Sequence, residues 1–249
     1  MYSQTDALFD RASFYYTNCS STNDMAQKYL LHAAEGTVFI AEHQYKGRGQ
    51  RNSTWLSAAG KNLLFSVILH PAWLTIDHLF ALNIITCLAI HNVLIELFPK
   101  EIAIKWPNDI YYLDQKLGGI LIETNLGDGH TIKTAVIGIG LNVNQLHFAS
   151  AKATSLALHK GARLDRSLLL NHIIDELGRY YGQLQSGMVD LLWEKYTAIL
   201  YRKTGFHIFV TTDGWLEGSI VTVNRLGALV LAGRNGKEYS YQPKEITFI

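Results

Sequence analysis

The hydrophobic pattern of this chain changes its period close to residue 204, and this change predicts two kinds of architecture in series. After residue 204, short runs of β-branched and aromatic residues alternate with turn-forming segments such as Asp213-Gly214. Such runs, separated by glycine, asparagine and aspartate, predict a small all-β barrel built from hairpins. A unit of about 45 residues is close to the lower limit for an independent core, so we expect it to pack on the rest of the chain. The expected strands lie at residues 206–210, 218–223, 228–231, 238–241 and 246–249.

Before residue 204, helical and strand-like patterns are mixed. Residues 21–24 have the Ser-x-x-Asp form of a helix capping box, and apolar residues follow at helical spacing, which predicts a helix over 22–34. Polar residues inside segment 77–98, among them Asn83, identify it as a core helix and not as a membrane span. The fold class expected is α+β, with a mixed β-sheet and packed helices in residues 1–202 and a small barrel in 203–249. The other helices are expected at 165–185 and 188–200, and the strands at 37–41, 62–69, 102–106, 117–123 and 131–139.

The charges and cysteines exclude several classes of protein. Lys and Arg number 22 and Asp and Glu number 21, so a formal net charge of +1 offers no general attraction for DNA or other polyanions. Cys19 and Cys87 lack Cys-x-x-Cys spacing, and we expect two buried, reduced thiols. The ten histidines form no His-Glu-x-x-His pair, so no transition metal held by the protein is expected. Residues 1–10 do not have the pattern of a secretory signal, and the expected compartment is the cytoplasm.

Residues 47–55 combine two glycines, two arginines and a tryptophan in nine positions. Glycine lets a backbone approach a ligand closely, arginine grips carboxylate or phosphate oxygens, and a tryptophan face covers a flat ring. The segment therefore predicts a site for a carboxylate and a nucleotide side by side, although a solvated loop anchored by Trp55 has the same composition. It is not a Walker loop, because no Gly-Lys-Ser/Thr follows. Residues 44–57 also have the composition of a lid that orders when a ligand binds.

Residues 105–109 read Lys-Trp-Pro-Asn-Asp. Proline ends a strand and leaves Asn108 and Asp109 at a turn, where an amide and a carboxylate can face a ligand. Lys116 follows at the start of a glycine-containing apolar strand, from which its side chain can reach a pocket. The same residues are also compatible with a strand end closed by a polar turn and with an exposed hairpin lysine. Residues 138–144 lack the third glycine of a dinucleotide fingerprint, but they can form a strand end that a ring approaches.

Taken in order, these motifs resemble those of biotin protein ligases. The resemblance covers nearly the whole chain, and it implies a class II synthetase-like catalytic domain of the biotin and lipoate ligase type in residues 1–202, followed by an SH3-like barrel. It also implies an activity in two steps, in which biotin and ATP give biotinyl-5′-AMP and pyrophosphate, and biotin then passes to a lysine of a biotin carboxyl carrier domain. The alternatives are a lipoate ligase on the same fold, whose arginine and glycine signature is not found, and a non-catalytic binding module. The matching segments are residues 21–23, 47–49, 55, 105–109, 116–121 and 140–142.

The resemblance also implies the roles of individual residues. Lys116, Arg48 and Asp109 are the expected catalytic residues, and Mg²⁺ is expected to arrive with ATP. Asp109 is expected near the metal and phosphates or near the acceptor lysine, and the sequence leaves these two roles open. Biotin is expected at Ser21, Thr22, Asn23, Gln44, Gly47, Arg48, Gly49, Lys116 and Gly119. ATP and the adenylate are expected at Arg48, Gln50, Arg51, Trp55, Asn108, Lys116 and Asn142.

Partners are implied in the same way. The Ser-Thr-Asn motif begins at residue 21, so the chain is similar to the monofunctional ligases and not to relatives with an N-terminal helix-turn-helix repressor domain. We therefore expect a carrier protein or domain, such as that of acetyl-CoA carboxylase, as the partner. We expect no binding to DNA or to a membrane, and the resemblance is compatible with a homodimer.

Overall fold

The computed structural model describes residues 12–50 and 53–249, and it contains a seven-stranded mixed sheet followed by a five-stranded antiparallel sheet. The larger sheet has the order β1-β2-β3-β7-β6-β5-β4, in which β1 and β2 run parallel while the other neighbours are antiparallel. This agrees with the mixed sheet predicted from the sequence. Its strands are β1 (Ser13–Cys19), β2 (Val38–Gln44), β3 (Leu63–Leu69), β4 (Ile102–Lys105), β5 (Asp109–Tyr112), β6 (Gln115–Leu126) and β7 (Ile132–Leu141).

The core of the protein lies between the larger sheet and its helices. Every residue of β3 is buried, as expected for a central strand without polar alternation. Helix α2 contacts α4, α5, β4 and β6. The segment Ile76–Ile95 is long and apolar enough to cross a membrane, yet 67% of its 18-residue apolar window is buried inside the protein, in agreement with the predicted core helix. The helices are α1 (Thr22–Tyr29), α2 (Phe80–Ile95), α3 (Leu156–Lys160), α4 (Arg166–Gln185) and α5 (Val189–Ala198).

The smaller sheet, called the C-terminal sheet below, has the order β11-β10-β9-β8-β12. It packs on the rest of the chain through indole groups, because Trp106 Nε1 donates to Gly227 O at 2.9 Å and Trp193 Nε1 donates to Val223 O at 2.7 Å. Its apolar residues belong to the same core cluster as α2 and α5. The predicted strands and the predicted packing are confirmed, while the domain boundary at 202/203 stays a prediction. The strands are β8 (His207–Thr211), β9 (Gly214–Val223), β10 (Leu229–Gly233), β11 (Glu238–Tyr241) and β12 (Ile246–Phe248).

Several sequence predictions were wrong in detail. Helix α1 ends at Tyr29 and not at residue 34, and the expected capping box is absent, because the Ser21 side chain makes no capping hydrogen bond while Asp24 pairs with Arg48. Asp109 does not lie in a turn but begins β5. Strands β1 and β5 and helix α3 were not predicted. The expectation of two free, buried thiols is confirmed, whereas residues 1–10 and Arg51 lie outside the described part of the chain.

Candidate active site

A cavity of about 410 Å³ opens over the face of the larger sheet where β6 and β7 run side by side. Its wall comes from the start of α1, the end of β2, residues 48–50 and 53–55, the start of β5, strands β6 and β7, and the turn after β11. Gly47 faces an adjoining cavity of about 560 Å³, and Asn142 is buried outside the wall of the first one. Most of the predicted site residues therefore lie around one space. Those in its wall are Ser21, Thr22, Asn23, Gln44, Arg48, Gly49, Gln50, Trp55, Asn108, Asp109, Lys116 and Gly119.

The floor of the cavity is made of glycines on β6 and β7. A Cβ at Gly138 would lie 2.1 Å from Asn23 Oδ1, and a Cβ at Gly140 would lie 2.6 Å from the ring of Trp55. Gly140 pairs in register with Gly119 on β6, where a Cβ would lie 3.5 Å from Lys116 Nζ. The glycines thus let functional side chains lie directly on the backbone of the sheet.

One end of the cavity is polar and uncharged. The side-chain oxygen of Gln44 accepts a hydrogen bond from the backbone N–H of Thr22 at 2.7 Å, which leaves the amide NH₂ of Gln44 as a donor for a ligand. Ser66 Oγ donates to Asn23 Oδ1 at 2.6 Å and lies 2.7 Å from Thr22 Oγ1. Sequence reasoning missed Ser66, although a serine in the middle of the apolar strand β3 was the available signal. Thr22, Asn23 and Ser66 are buried and Gln44 is half-buried, and their hydrogen bonds fix them, as recognition of a neutral polar ring requires.

Arg48 is held by two carboxylates. Its guanidinium donates to both oxygens of Glu123, at 2.8 and 2.9 Å, and lies 2.8 Å from Asp24 Oδ1. Burial lowers the pKa of Arg48, but its hydrogen bonds and charge interactions with Glu123 and Asp24 outweigh this effect and raise the pKa overall. Glu123 Oε2 also accepts from Asn23 Nδ2 at 2.7 Å, so Arg48 is linked to the neutral end. Neither carboxylate was predicted as a site residue; an acidic residue closing the apolar run 120–122 was the signal for Glu123.

Lys116 and Asp109 form the second charged group of the cavity. Lys116 Nζ lies 2.7 Å from Asp109 Oδ1 and 5.8 Å from the centre of the Trp55 ring. The Asn108 amide donates to Ile120 O, which ties the start of β5 to β6. The turn predicted here is present at residues 106–108 and includes Asn108, whereas Asp109 already begins β5, and both residues reach the cavity.

The carbonyl oxygen of Pro107 anchors this strand start to the helices behind the sheet. It accepts hydrogen bonds from Asn83 Nδ2 on α2 and from the hydroxyl of Tyr196 on α5, both at 2.7 Å. The fully buried Tyr196 hydroxyl has its pKa raised well above the usual value, first by burial, so it remains a donor. Two rigid helices therefore set the position of Asp109.

Trp55 closes the other end. Its backbone N–H donates to Gly47 O at 3.0 Å, and residues 48 and 54 form an antiparallel bridge. Within the described residues, Trp55 Nε1 and Asn142 Oδ1 are buried without a hydrogen-bond partner. Buried polar groups are normally paired, so each of these two atoms is a candidate contact for a ligand. A purine ring offers both a donor and an acceptor.

The charged groups also limit how Mg²⁺ could be held. In residues 12–50 and 53–249, no group of three or more His, Cys, Asp and Glu side chains is arranged to bind a metal ion. Mg²⁺ bound with a nucleotide commonly uses one or two protein carboxylates plus phosphates and water. Asp109 is a carboxylate in the cavity wall, so the residues fit a metal carried by the phosphates and not a cage made by protein alone.

Comparisons with known proteins agree with this geometry. Residues 15–142 match the family model for the biotin/lipoate A/B protein ligase family. The chain is 30% identical over 236 residues to the bifunctional ligase/repressor BirA of Bacillus subtilis, covering 91% of this chain and 71% of BirA. It is 26% identical to the biotin--[acetyl-CoA-carboxylase] ligase of Paracoccus denitrificans, covering 88% of this chain and 93% of that protein.

A solved structure shares the fold. The biotin protein ligase from Aquifex aeolicus in complex with biotin and ATP superposes with a TM-score of 0.79 at 23% identity, covering 96% of this chain and 98% of that chain. The resemblance inferred from the motifs and the predicted fold class are thereby confirmed. This chain belongs to the biotin/lipoate A/B protein ligase family.

Proposed function

We propose that the protein is an ATP-dependent biotin protein ligase that forms biotinyl-5′-AMP and then transfers biotin to a lysine of a biotin carboxyl carrier domain. The observation that carries this proposal is the order of groups along the glycine floor. Gly138 lies under Asn23 and the neutral polar groups, and Gly140 lies under Trp55, two residues further along the same strand. Two residues of a strand span about 6.8 Å, so the two ends of the site are adjacent on one face of the sheet.

The chemistry of biotin fits this order. Its neutral ureido ring suits the buried Ser21 and Thr22 and the half-buried Gln44, which are neutral donors and acceptors. Its carboxylate then reaches the cations of the cavity, and the adenine ring of ATP stacks beside Trp55. Asn142, whose side-chain oxygen is buried and unpaired, stays a proposed contact for the exocyclic amine of adenine.

In the first step, a carboxylate oxygen of biotin attacks the α-phosphorus of ATP, a bond to phosphorus forms, and the bond to the leaving pyrophosphate breaks. Two anions must meet, so the barrier is largely electrostatic, and fixed cations lower it. Lys116 is the proposed cation at the reacting atoms, because it lies on the glycine floor beside Trp55. Arg48 remains protonated, and its charge is shared with Glu123 and Asp24. This favours a role for Arg48 in orienting the carboxylate of biotin. Asp109 is the carboxylate that would hold Mg²⁺ together with the phosphates of ATP, and the ion would neutralise phosphate charge.

In the second step, the amine of the acceptor lysine attacks the acyl carbon of biotinyl-5′-AMP, the amide bond forms, and AMP leaves. The amine must lose a proton, and Asp109 is the carboxylate of the cavity wall that can accept it. The adenylate is a mixed anhydride that water destroys, so it must be covered until the carrier arrives. We propose that residues 44–57, in which residues 48 and 54 form an antiparallel bridge, provide this cover.

The deciding experiment supplies the purified protein with biotin, ATP and Mg²⁺, and measures pyrophosphate release. The expected result is release that depends on biotin, followed by a biotin mass increment on one lysine of an added carrier domain in mass spectrometry. Lipoate in place of biotin should give neither product. An unmodified carrier would refute the proposed function, and equal turnover of lipoate would favour the lipoate ligase alternative.

Compartment and DNA binding follow as further proposals. We propose that the enzyme is cytoplasmic. We also propose that operator DNA is not a partner, because a net charge of +1 provides no general surface for phosphates. Gel retardation with DNA fragments tests this, and sequence-selective retardation that weakens with salt would contradict it. A homodimer stays a proposal that sedimentation of the pure protein decides.

A further inference from the structure

One turn of the C-terminal sheet reaches into the wall of the cavity. It consists of residues 242–245, between β11 and β12, and its Pro243 and Lys244 line the same cavity as Lys116 and Trp55. The turn is closed by a hydrogen bond from Glu245 N to Gln242 O at 3.0 Å. The Glu245 side chain accepts from Gln242 N at 2.6 Å, so the turn has a fixed shape. The larger sheet and its helices therefore do not complete the site alone.

Lys244 occupies a position of the turn that does not suit lysine. Its φ is +86°, and it follows proline, which is the pattern of a type II turn. Glycine or asparagine is preferred at this third position, because a side chain with Cβ is crowded at positive φ. A residue kept in an unfavourable backbone conformation beside a ligand cavity motivates a functional explanation.

Lys244 also differs from the other cations of the cavity. Arg48 is paired with Glu123 and Asp24, and Lys116 is paired with Asp109. No ion pair of Lys244 is found among residues 12–50 and 53–249, and its side chain is exposed. Lys244 is thus a cavity cation whose charge no described carboxylate neutralises.

We propose that Lys244 binds the pyrophosphate end of ATP. This inference rests on the proposed function, because it takes ATP as the nucleotide. The ureido ring of biotin is neutral, whereas the triphosphate is the most highly charged group that enters the site. An ammonium group on a long stem suits phosphate as a point charge with three donors.

The test compares ATP with AMP by isothermal titration calorimetry of the full-length protein with Mg²⁺. The variants Lys244→Gln and Lys244→Gly should weaken ATP and pyrophosphate binding by about fivefold to tenfold, since the contact is charge-assisted but exposed to solvent. AMP lacks the two outer phosphates, so its affinity should stay unchanged, as should that of biotin. Lys244→Arg should stay within about twofold of the parent for ATP, because it keeps the charge.

Two controls separate this role from a structural one. Lys244→Gly suits the turn better than lysine does, so it should unfold at the parent temperature or above, and a loss of ATP affinity in it cannot come from misfolding. Lys237→Gln removes an exposed lysine from the turn between β10 and β11, outside the cavity, and should bind ATP like the parent.

Each result supports or overturns the assignment. Parent-like ATP affinity in Lys244→Gln and Lys244→Gly, or an equal loss for ATP and AMP, would overturn it. Unchanged ATP binding with a raised KM for the carrier domain would overturn it in favour of a protein contact. If the parent binds ATP but releases no pyrophosphate with biotin, the proposed function fails while the comparison at Lys244 still decides this inference. A parent that binds no ATP overturns both.

Discussion

Replacing Lys116 with glutamine tests where the reaction takes place. Glutamine keeps much of the side-chain length and a hydrogen-bond donor, but it removes the charge that lies 2.7 Å from Asp109 and 5.8 Å from the Trp55 ring centre. Negative charge gathers between carboxylate and phosphate only as they react. The lysine should therefore stabilise the transition state more than the separately solvated substrates.

Two magnitudes distinguish a catalytic lysine from a surface one. The loss of one preorganised contact to developing charge costs about 10²–10³ in rate, or about 3–4 kcal/mol. The ion pair itself is partly exposed, at 37% for Lys116 and 27% for Asp109, so its loss should lower the free energy of unfolding by at most about 1 kcal/mol. We expect the rate of adenylation to fall about a hundredfold or more while stability barely changes.

The assay is pyrophosphate release in the first half-reaction, with enzyme in excess and without carrier, together with thermal unfolding. Lys133→Gln is the matched control, because Lys133 is an exposed lysine on the neighbouring strand β7 and outside the cavity wall. If Lys116→Gln forms biotinyl-5′-AMP at the parent rate, the reaction does not take place beside this lysine and the mechanism above is wrong.

Three further predictions concern other parts of the site and the core. Gly140→Ala would place a Cβ 2.6 Å from the Trp55 ring, so the ring must move. The loss of stacking should raise the KM for ATP about tenfold and leave the KM for biotin unchanged. A variant with the same KM for ATP as the parent would contradict this. Ser66→Ala removes a buried hydrogen bond from the neutral end of the cavity, which should weaken biotin binding about fivefold in calorimetry, and a parent-like Kd would count against it. Burial raises the pKa of the Cys19 thiol to about 11 and holds that of Cys87 well above its usual value, so both should resist a thiol reagent at pH 8 until the protein unfolds. Rapid labelling of the folded protein would disprove this. Because burial disfavours the thiolate, the contribution of Cys19 to stability is fully present below about pH 9 and is lost as the pH rises through about 11.

The central elements of the fold were predictable because their periodicity is dictated by burial. Strand β3 and helix α2 are apolar almost throughout, and a segment that is buried on all sides has a continuous apolar sequence. Strand β1 lies at an edge of the sheet and exposes most of its residues, so it lacks the pattern that identifies a strand. Strand β5 has only four residues directly after Asn108, and its pairing with β4 and β6, not its own sequence, makes it a strand.

The residues of the candidate site likewise divide into those that the sequence could predict and those that it could not. Residues within motifs, such as Lys116 and Trp55, were found because several unusual residue types stand close together in the sequence. Ser66 and Glu123 were missed, since their roles come from contacts with residues far away along the chain. Their only local signal is a polar residue in an apolar strand, and that signal also fits a chance exposed position. The cavity role of Lys244 depends on how the C-terminal sheet packs, which no local pattern encodes.

The glycines under the cavity also determine how this site can change during evolution or redesign. Gly138 is covered by Asn23, and Gly140 is covered by Trp55, so each glycine and its covering side chain fill one space together. Enlarging one member alone produces a clash, and shrinking the other alone leaves a hole. A ligase with a wider or narrower slot is therefore reached through paired substitutions, in which the strand position and the distant side chain change in opposite directions.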